Sequence, residues 1–303
     1  MIVMRDKQSL AERYGFHALD GQEITLWHWP RSEGRPALHW AHATGFHGRL
    51  YKPLLDDLSD HCNVMAWDMR GHGASASAAD TSAFRGWESY YGDLTALLAS
   101  LDEPIWLAGH SIGATASIMA AARQPDKVLG LILVEPVIMD FWQGRILWFS
   151  KLLRQSHRLS LAAGAARRRG VFDSRVAALN NYRGRGGFKT WPESWLKAYV
   201  QHAFIQHGEH VRLACSPEWE SITFAQTEHN PWPDIRQLRC PVIALAAERA
   251  STFSSAARKR LRKLLPSAEV SVLAGTTHFL PMEQTDTVRD AMLKVMLSKC
   301  RKT

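Results

Sequence analysis

At 303 residues the chain can bury a large core, as one domain or as a core carrying an insertion, and it is no disulfide-stapled miniprotein. Its 46% hydrophobic and 22% charged residues, with 20 Gly and 13 Pro, speak against disorder, collagen-like repeats and coiled coil. Lys and Arg number 37 against 29 Asp and Glu, a formal charge of +8 spread along the chain without a nucleic-acid-binding motif, so no nucleic-acid partner is expected.

The four cysteines, Cys62, Cys215, Cys240 and Cys300, are widely separated and form no CxxC, so reduced thiols are expected rather than a zinc knuckle or a disulfide framework. The N-terminus, MIVMRDKQSL, lacks the long apolar run of a secretory signal, and no later segment approaches about 18 uninterrupted apolar residues. These features predict a cytoplasmic protein without membrane insertion, monomeric or homodimeric.

From residue 14 short apolar runs alternate with helix-like segments, the rhythm of a mostly parallel sheet covered by helices. YGFHALDG and ITLWHW read as two strands joined by an Asp20-Gly21 turn. PALHWAHA is the next strand, and RLYKPLLDDL has helical spacing with a Pro tolerable near its start. NVMAWD and IWLAGH follow as strands, separated by the helix WESYYGDLTALLASL. SIGATASIMAAARQP is a helix stopped at Pro125, and VLGLILVEP is apolar enough for the centre of a sheet buried on both faces.

The rhythm breaks over residues 137–235, where basic helical pieces such as FSKLLRQSHRLSLAAGAARRR, a Gly-rich loop from Arg183 to Gly187 and the segment WPESWLKAYVQHAFIQH appear. That is too long for an ordinary connection and predicts an inserted helical cap on a core of residues 1–136 and 236–303. CPVIALAAE and VSVLAGTTHF then complete eight strands, interleaved with the helices SSAARKRLRKLLP and TDTVRDAMLKVMLSK.

The sharpest motif is Gly109-His110-Ser111-Ile112-Gly113, directly after a strand and before a helix. A nucleophile on so tight a turn needs close, strained backbone around it, and a helix N-terminus offers N–H groups to developing negative charge. A serine hydroxyl needs a base, which in turn needs an acid to orient it. His278, in Gly275-Thr276-Thr277-His278-Phe279 after the last strand, stands where a base reaches the serine. A chance strand-capping histidine is the plain alternative.

In this pattern the chain resembles the α/β-hydrolase fold family over nearly its whole length outside the insertion. The resemblance implies that His42-Ala43-Thr44-Gly45-Phe46 is the oxyanion turn, with Ala43 at the usual glycine position and the N–H of Thr44 joined by that of Ile112 as donors. His42, Phe46 and His110 would flank the substrate. Asp68-Met69-Arg70-Gly71-His72-Gly73-Ala74-Ser75 resembles the family's DxRGxGxS segment and reads as architecture, its Asp–Arg pair fastening a tight turn.

The family's acid commonly lies in a GxxD loop after the strand that follows the insertion, but Ala247-Glu248-Arg249-Ala250 puts Ala250 there. Some relatives, certain haloalkane dehalogenases among them, carry a glutamate at the end of the central strand instead, and Glu135 ends LILVEP at the matching position. Glu135 is the favoured acid; Glu248, Asp140 and a weakened or absent triad remain alternatives, as does a purely structural buried Glu135.

A serine nucleophile argues against the epoxide hydrolase and haloalkane dehalogenase reactions, which use aspartate. It implies hydrolysis of a small or medium, partly apolar carboxylic ester through an acyl-enzyme, with no cofactor and no metal. Thioesters, amides and carbon-carbon bonds are alternative substrates, and a noncatalytic binding protein of the same fold is the alternative from another class. Six tryptophans in the insertion, Trp142, Trp148, Trp191, Trp195, Trp219 and Trp232, offer aromatic surface, with Trp142, Trp191 and Trp195 the candidates for substrate contact. Arg167, Arg168 and Arg169 read as a solvated face.

Overall fold

The computed structural model describes residues 11–18, 20–30, 32–139, 160–226 and 229–300; Asp140, Trp142 and Trp148 fall outside them. The strands are β1 (Glu12–His17), β2 (Glu23–His28), β3 (Ala37–Ala41), β4 (Asn63–Trp67), β5 (Ile105–His110) and β6 (Val128–Val134), then β7 (Val171–Phe172), β8 (Phe204–His207) and β9 (His210–Leu213) within the insertion, and finally β10 (Val242–Ala247) and β11 (Glu269–Leu273). Eight of them form one sheet in the order β1-β2-β4-β3-β5-β6-β10-β11. Only the β1–β2 and β2–β4 pairings are antiparallel, so the sheet is mostly parallel, as expected from the sequence.

The central strands are apolar along their whole length because helices cover both faces. All six residues of β5 are buried, and β6 exposes only Leu129. On one face Trp40, Trp106, Val64 and Ile132 pack with Leu54 and Leu58 of helix α1 (Lys52–Ser59). On the other, Trp67, Leu107 and Leu131 meet helices α2 (Trp87–Ser100) and α3 (Ile112–Arg123). Gly130 makes room for the Trp106 indole, since a Cβ there would lie 2.2 Å from its Cζ3. The β1–β2 hairpin closes as expected, with Gly21 at φ +80° and its N–H donating to the Ala18 carbonyl.

The insertion between β6 and β10 is not helical throughout. Of the segment WPESWLKAYVQHAFIQH, part of an insertion expected to be helical, only Glu193–His202 is helix; Phe204–His207 is β8, which pairs with β9 and, through it, β7 in a small antiparallel sheet. The cue is the period-two burial of HVRL, where Val211 and Leu213 are buried and His210 and Arg212 exposed. The helix Glu193–His202 packs on the core, where the Trp195 indole N–H donates to Thr285 Oγ1 at 3.0 Å and its ring meets Tyr51 edge-on.

Candidate active site

Ser111 sits between the last residue of β5 and the first of α3, at φ 58° and ψ −122°, a strained conformation for a residue with a side chain. The flanking glycines are required sterically. A Cβ on Gly109 would lie 2.6 Å from the Gly113 carbonyl carbon, and one on Gly113 would lie 2.3 Å from the Ala41 oxygen. The Ser111 N–H donates to the Val134 carbonyl at 3.0 Å, fixing the turn to the end of β6.

His278 follows β11 in a loop that brings its Nε2 to 3.0 Å from Ser111 Oγ and its Nδ1 to 3.1 Å from Glu135 Oε2. Glu135 has no exposed surface and, like Ser111, a positive φ, at 49°. Its carboxylate takes the Ala247 N–H and the Ser251 hydroxyl on Oε1, both at 2.6 Å, and the Thr252 N–H on Oε2 at 3.0 Å. Burial pushes its pKa up, but the His278 bond and charge, with the Ser251 and Ala247 bonds, outweigh burial and bring it below the usual value. An anionic Glu135 accepts from Nδ1–H, which leaves Nε2 to accept the serine proton.

The loop at the family's commoner acid position thus serves a different purpose. Ala250 occupies the expected aspartate position at φ 50°, while the following Ser251 and Thr252 hold Glu135 from across the sheet. These two residues escaped sequence reasoning; the hydroxyls next to the missing acid were the available signal. Glu248 is exposed and accepts the Gly275 N–H at 2.9 Å, so it braces the loop carrying His278 and does not meet the imidazole.

Around Thr44 the backbone groups are almost all committed. Ala43 N–H donates to Tyr51 Oη, Ala43 O accepts from His42 Nδ1–H and Phe46 N–H, and Gly45 N–H donates to His72 Nε2. Among the described residues no acceptor meets the Thr44 N–H, and that of Ile112 opens α3, where helical amides lack intrahelical partners. His42 has no exposed surface, and its Nε2 accepts the Met69 N–H at 2.9 Å, so it braces the turn rather than meeting substrate.

The DxRGxGxS segment is architectural, but not through a pair between its own Asp and Arg. Asp68 takes the N–H groups of Gly48 and Ala74 and the Trp27 indole, whereas Arg70 grips Asp93 with two nitrogens and Asp20 with a third. Burial of Arg70 is outweighed by the two carboxylates around it, which hold it charged, whereas burial of Asp68 outweighs its three donors and raises its pKa.

Over the site, Phe46 meets Trp191 at 5.3 Å and Phe279 at 6.3 Å between ring centroids, and Trp191 meets Phe279 at 5.7 Å. Phe188 and Tyr199 extend this aromatic wall into the insertion. Among the described residues no acceptor meets the buried Trp191 Nε1. Trp195 is spent on Thr285 and Tyr51, while Trp219 packs on Phe84 and Trp232 donates to the Met139 carbonyl. Nor do the three arginines form a uniform solvated face: Arg168 turns inward to Glu220 at 2.6 Å and Tyr199 Oη at 2.8 Å, beside Gly45.

Among the described residues no helix is long and apolar enough to cross a membrane. The curated 2-(acetamidomethylene)succinate hydrolase of Mesorhizobium japonicum is 24% identical over 252 residues, covering 81% of this chain and 82% of its own. N-formylmaleamate deformylase of Pseudomonas putida is 21% identical over 256 residues, 83% of this chain and 81% of its own. A solved structure of E-2-(acetamidomethylene)succinate hydrolase superposes with a TM-score of 0.77 at 20% identity, covering 93% of this chain and 98% of that one. The sequence profile of the alpha/beta hydrolase family matches residues 38–291, and with that match and this fold the chain belongs to the alpha/beta hydrolase family.

Proposed function

We propose that the protein is a serine hydrolase that cleaves carboxylic esters through an acyl-enzyme. The observation that carries this reading is the Ser111 Oγ to His278 Nε2 to Glu135 chain at 3.0 and 3.1 Å. In the first half-reaction His278 Nε2 takes the proton as Ser111 Oγ bonds to the carbonyl carbon. The resulting oxyanion rests against the Thr44 and Ile112 N–H groups, and Glu135 stabilises the imidazolium. His278 returns the proton to the departing alcohol. Water, deprotonated by the same nitrogen, then attacks the acyl-serine and releases the carboxylate.

The wall of Phe46, Trp191 and Phe279 suits a flat or apolar group next to the scissile carbonyl, and the unspent Trp191 indole N–H supports an acceptor on that group. Amide cleavage is the second reading, favoured by the two relatives whose names carry N-acyl substrates and which this chain covers over most of their length. Intact-mass detection of a fluorophosphonate adduct on wild type and Ser111→Ala tests the nucleophile: an adduct on wild type alone is expected, and a folded wild type that takes none favours a noncatalytic role. Turnover of esters and amides that share one acyl group separates the two substrate readings.

A further inference from the structure

Tyr51 ends the short helix Gly48–Tyr51 with its phenol wholly buried. Its oxygen accepts the Ala43 N–H at 3.3 Å and lies 2.7 Å from His110 Nδ1. On the far side of the ring, His110 Nε2 lies 2.7 Å from the carbonyl oxygen of His278. A carbonyl only accepts, so Nε2 carries the proton; a neutral imidazole then leaves Nδ1 as acceptor, and the Tyr51 hydroxyl donates to it. Burial, with the neighbouring His278 charge, holds the His110 pKa well below its usual value, consistent with that single tautomer.

Hydrogen bonds therefore run in one direction, from the Ala43 amide through Tyr51 and His110 to the His278 carbonyl, with each group used once. Every end of this chain is one peptide or less from a reacting group. Ala43 precedes Thr44, His110 precedes Ser111, and the last acceptor is the backbone of His278 itself. Neither ring has exposed surface: Tyr51 packs against Trp40 and Trp195, and His110 against Phe46.

We propose that Tyr51 and His110 are a positioning pair that sets the distance between the oxyanion turn and the catalytic histidine, an inference that rests on the serine-hydrolase reading above. Side-chain burial alone would make the pair matter for stability; a positioning role makes it matter for the step in which Ser111 attacks.

The test compares wild type, Tyr51→Phe, His110→Gln and the double variant by fluorophosphonate adduct rate, by kcat and KM on a responsive ester, and by melting temperature. Tyr51→Phe keeps the ring and removes only the hydroxyl. The expected result is a loss of about ten- to a hundredfold in adduct rate and kcat with KM within about twofold. The double variant should lose no more than the worse single, because either change interrupts the same chain. A folded Tyr51→Phe with wild-type adduct rate and kcat, whatever its melting temperature, overturns the proposal, as do losses that simply multiply in the double. Should Tyr51→Phe fail to fold, His110→Asn, which can still accept from Tyr51 but no longer reaches the His278 carbonyl, carries the same comparison. No adduct on wild type overturns the serine-hydrolase reading itself, whereas an equal rate in Tyr51→Phe overturns only this inference.

Discussion

The two ends of the Ser111–His278–Glu135 chain are built in different ways. At the serine the turn is mostly local: a strand, a strained turn and a helix follow within five residues, Gly109 is required by the Gly113 backbone 2.6 Å from where its Cβ would stand, and only Gly113 answers to a distant strand, the Ala41 oxygen of β3 at 2.3 Å. At the glutamate nothing is local. Its carboxylate is held by Ala247, Ser251 and Thr252, more than a hundred residues away in sequence, and it reaches His278 across a still longer separation. One end is rigid by sterics, the other by long-range polar satisfaction, so different perturbations should break them.

The ends also differ in charge. Beside the Thr44 turn stand neutral imidazoles: His72 accepts the Gly45 N–H and donates to the Arg70 carbonyl, and His47 accepts from Leu50 and donates to the Tyr199 carbonyl. Burial pulls His39 and His47 down to about 3 and His72 to about 4. An unfolded histidine binds its proton near pH 6.5, so the unfolded chain takes up more protons below that value. The stability these groups contribute is thus complete above about pH 6.5 and is lost progressively toward their folded values. Three such groups remove on the order of 6 kcal/mol by pH 5, a large share of a domain's stability. Circular dichroism against pH should show cooperative unfolding between about pH 6 and 4.5, and an unchanged melting temperature over that range would refute it.

Glu135→Gln should have the next largest effect. The amide would donate to His278 Nδ1 and push the ring proton onto Nε2, where it blocks the serine; kcat on a responsive ester should fall about 10³-fold or more with the fold retained. Gly113→Ala attacks the opposite end: its Cβ meets the Ala41 carbonyl, and chemical denaturation should register a loss of about 3 kcal/mol. Ser251→Ala removes one of the charge-assisted bonds to Glu135 and should cost about 2 kcal/mol with a smaller fall in kcat, to be read by denaturation and steady-state kinetics together. Glu248→Gln keeps an acceptor for Gly275 and should leave kcat within about twofold; a large loss there would move the acid assignment from Glu135 to Glu248.

Sequence alone determined what short-range physics controls. Periodicity marked the eight strands of the central sheet, the Asp20-Gly21 turn marked the hairpin, and the glycines around Ser111 marked the strand-to-helix turn, since each depends on neighbours a few residues away. It also singled out His278 and Glu135; the fold brings His278 to hydrogen-bonding distance of Ser111 on one side and of Glu135 on the other. What it left open was decided by contacts between distant segments. The small sheet of β7, β8 and β9 needs cross-strand partners, the choice among the tryptophans depends on which face of the insertion meets the core, and Ser251 and Thr252 become meaningful only when β6 and β10 lie side by side. The Tyr51–His110 chain belongs to the same class: a hydroxyl, an imidazole and two backbone groups carry no shared pattern along the chain until the sheet stacks them in a line.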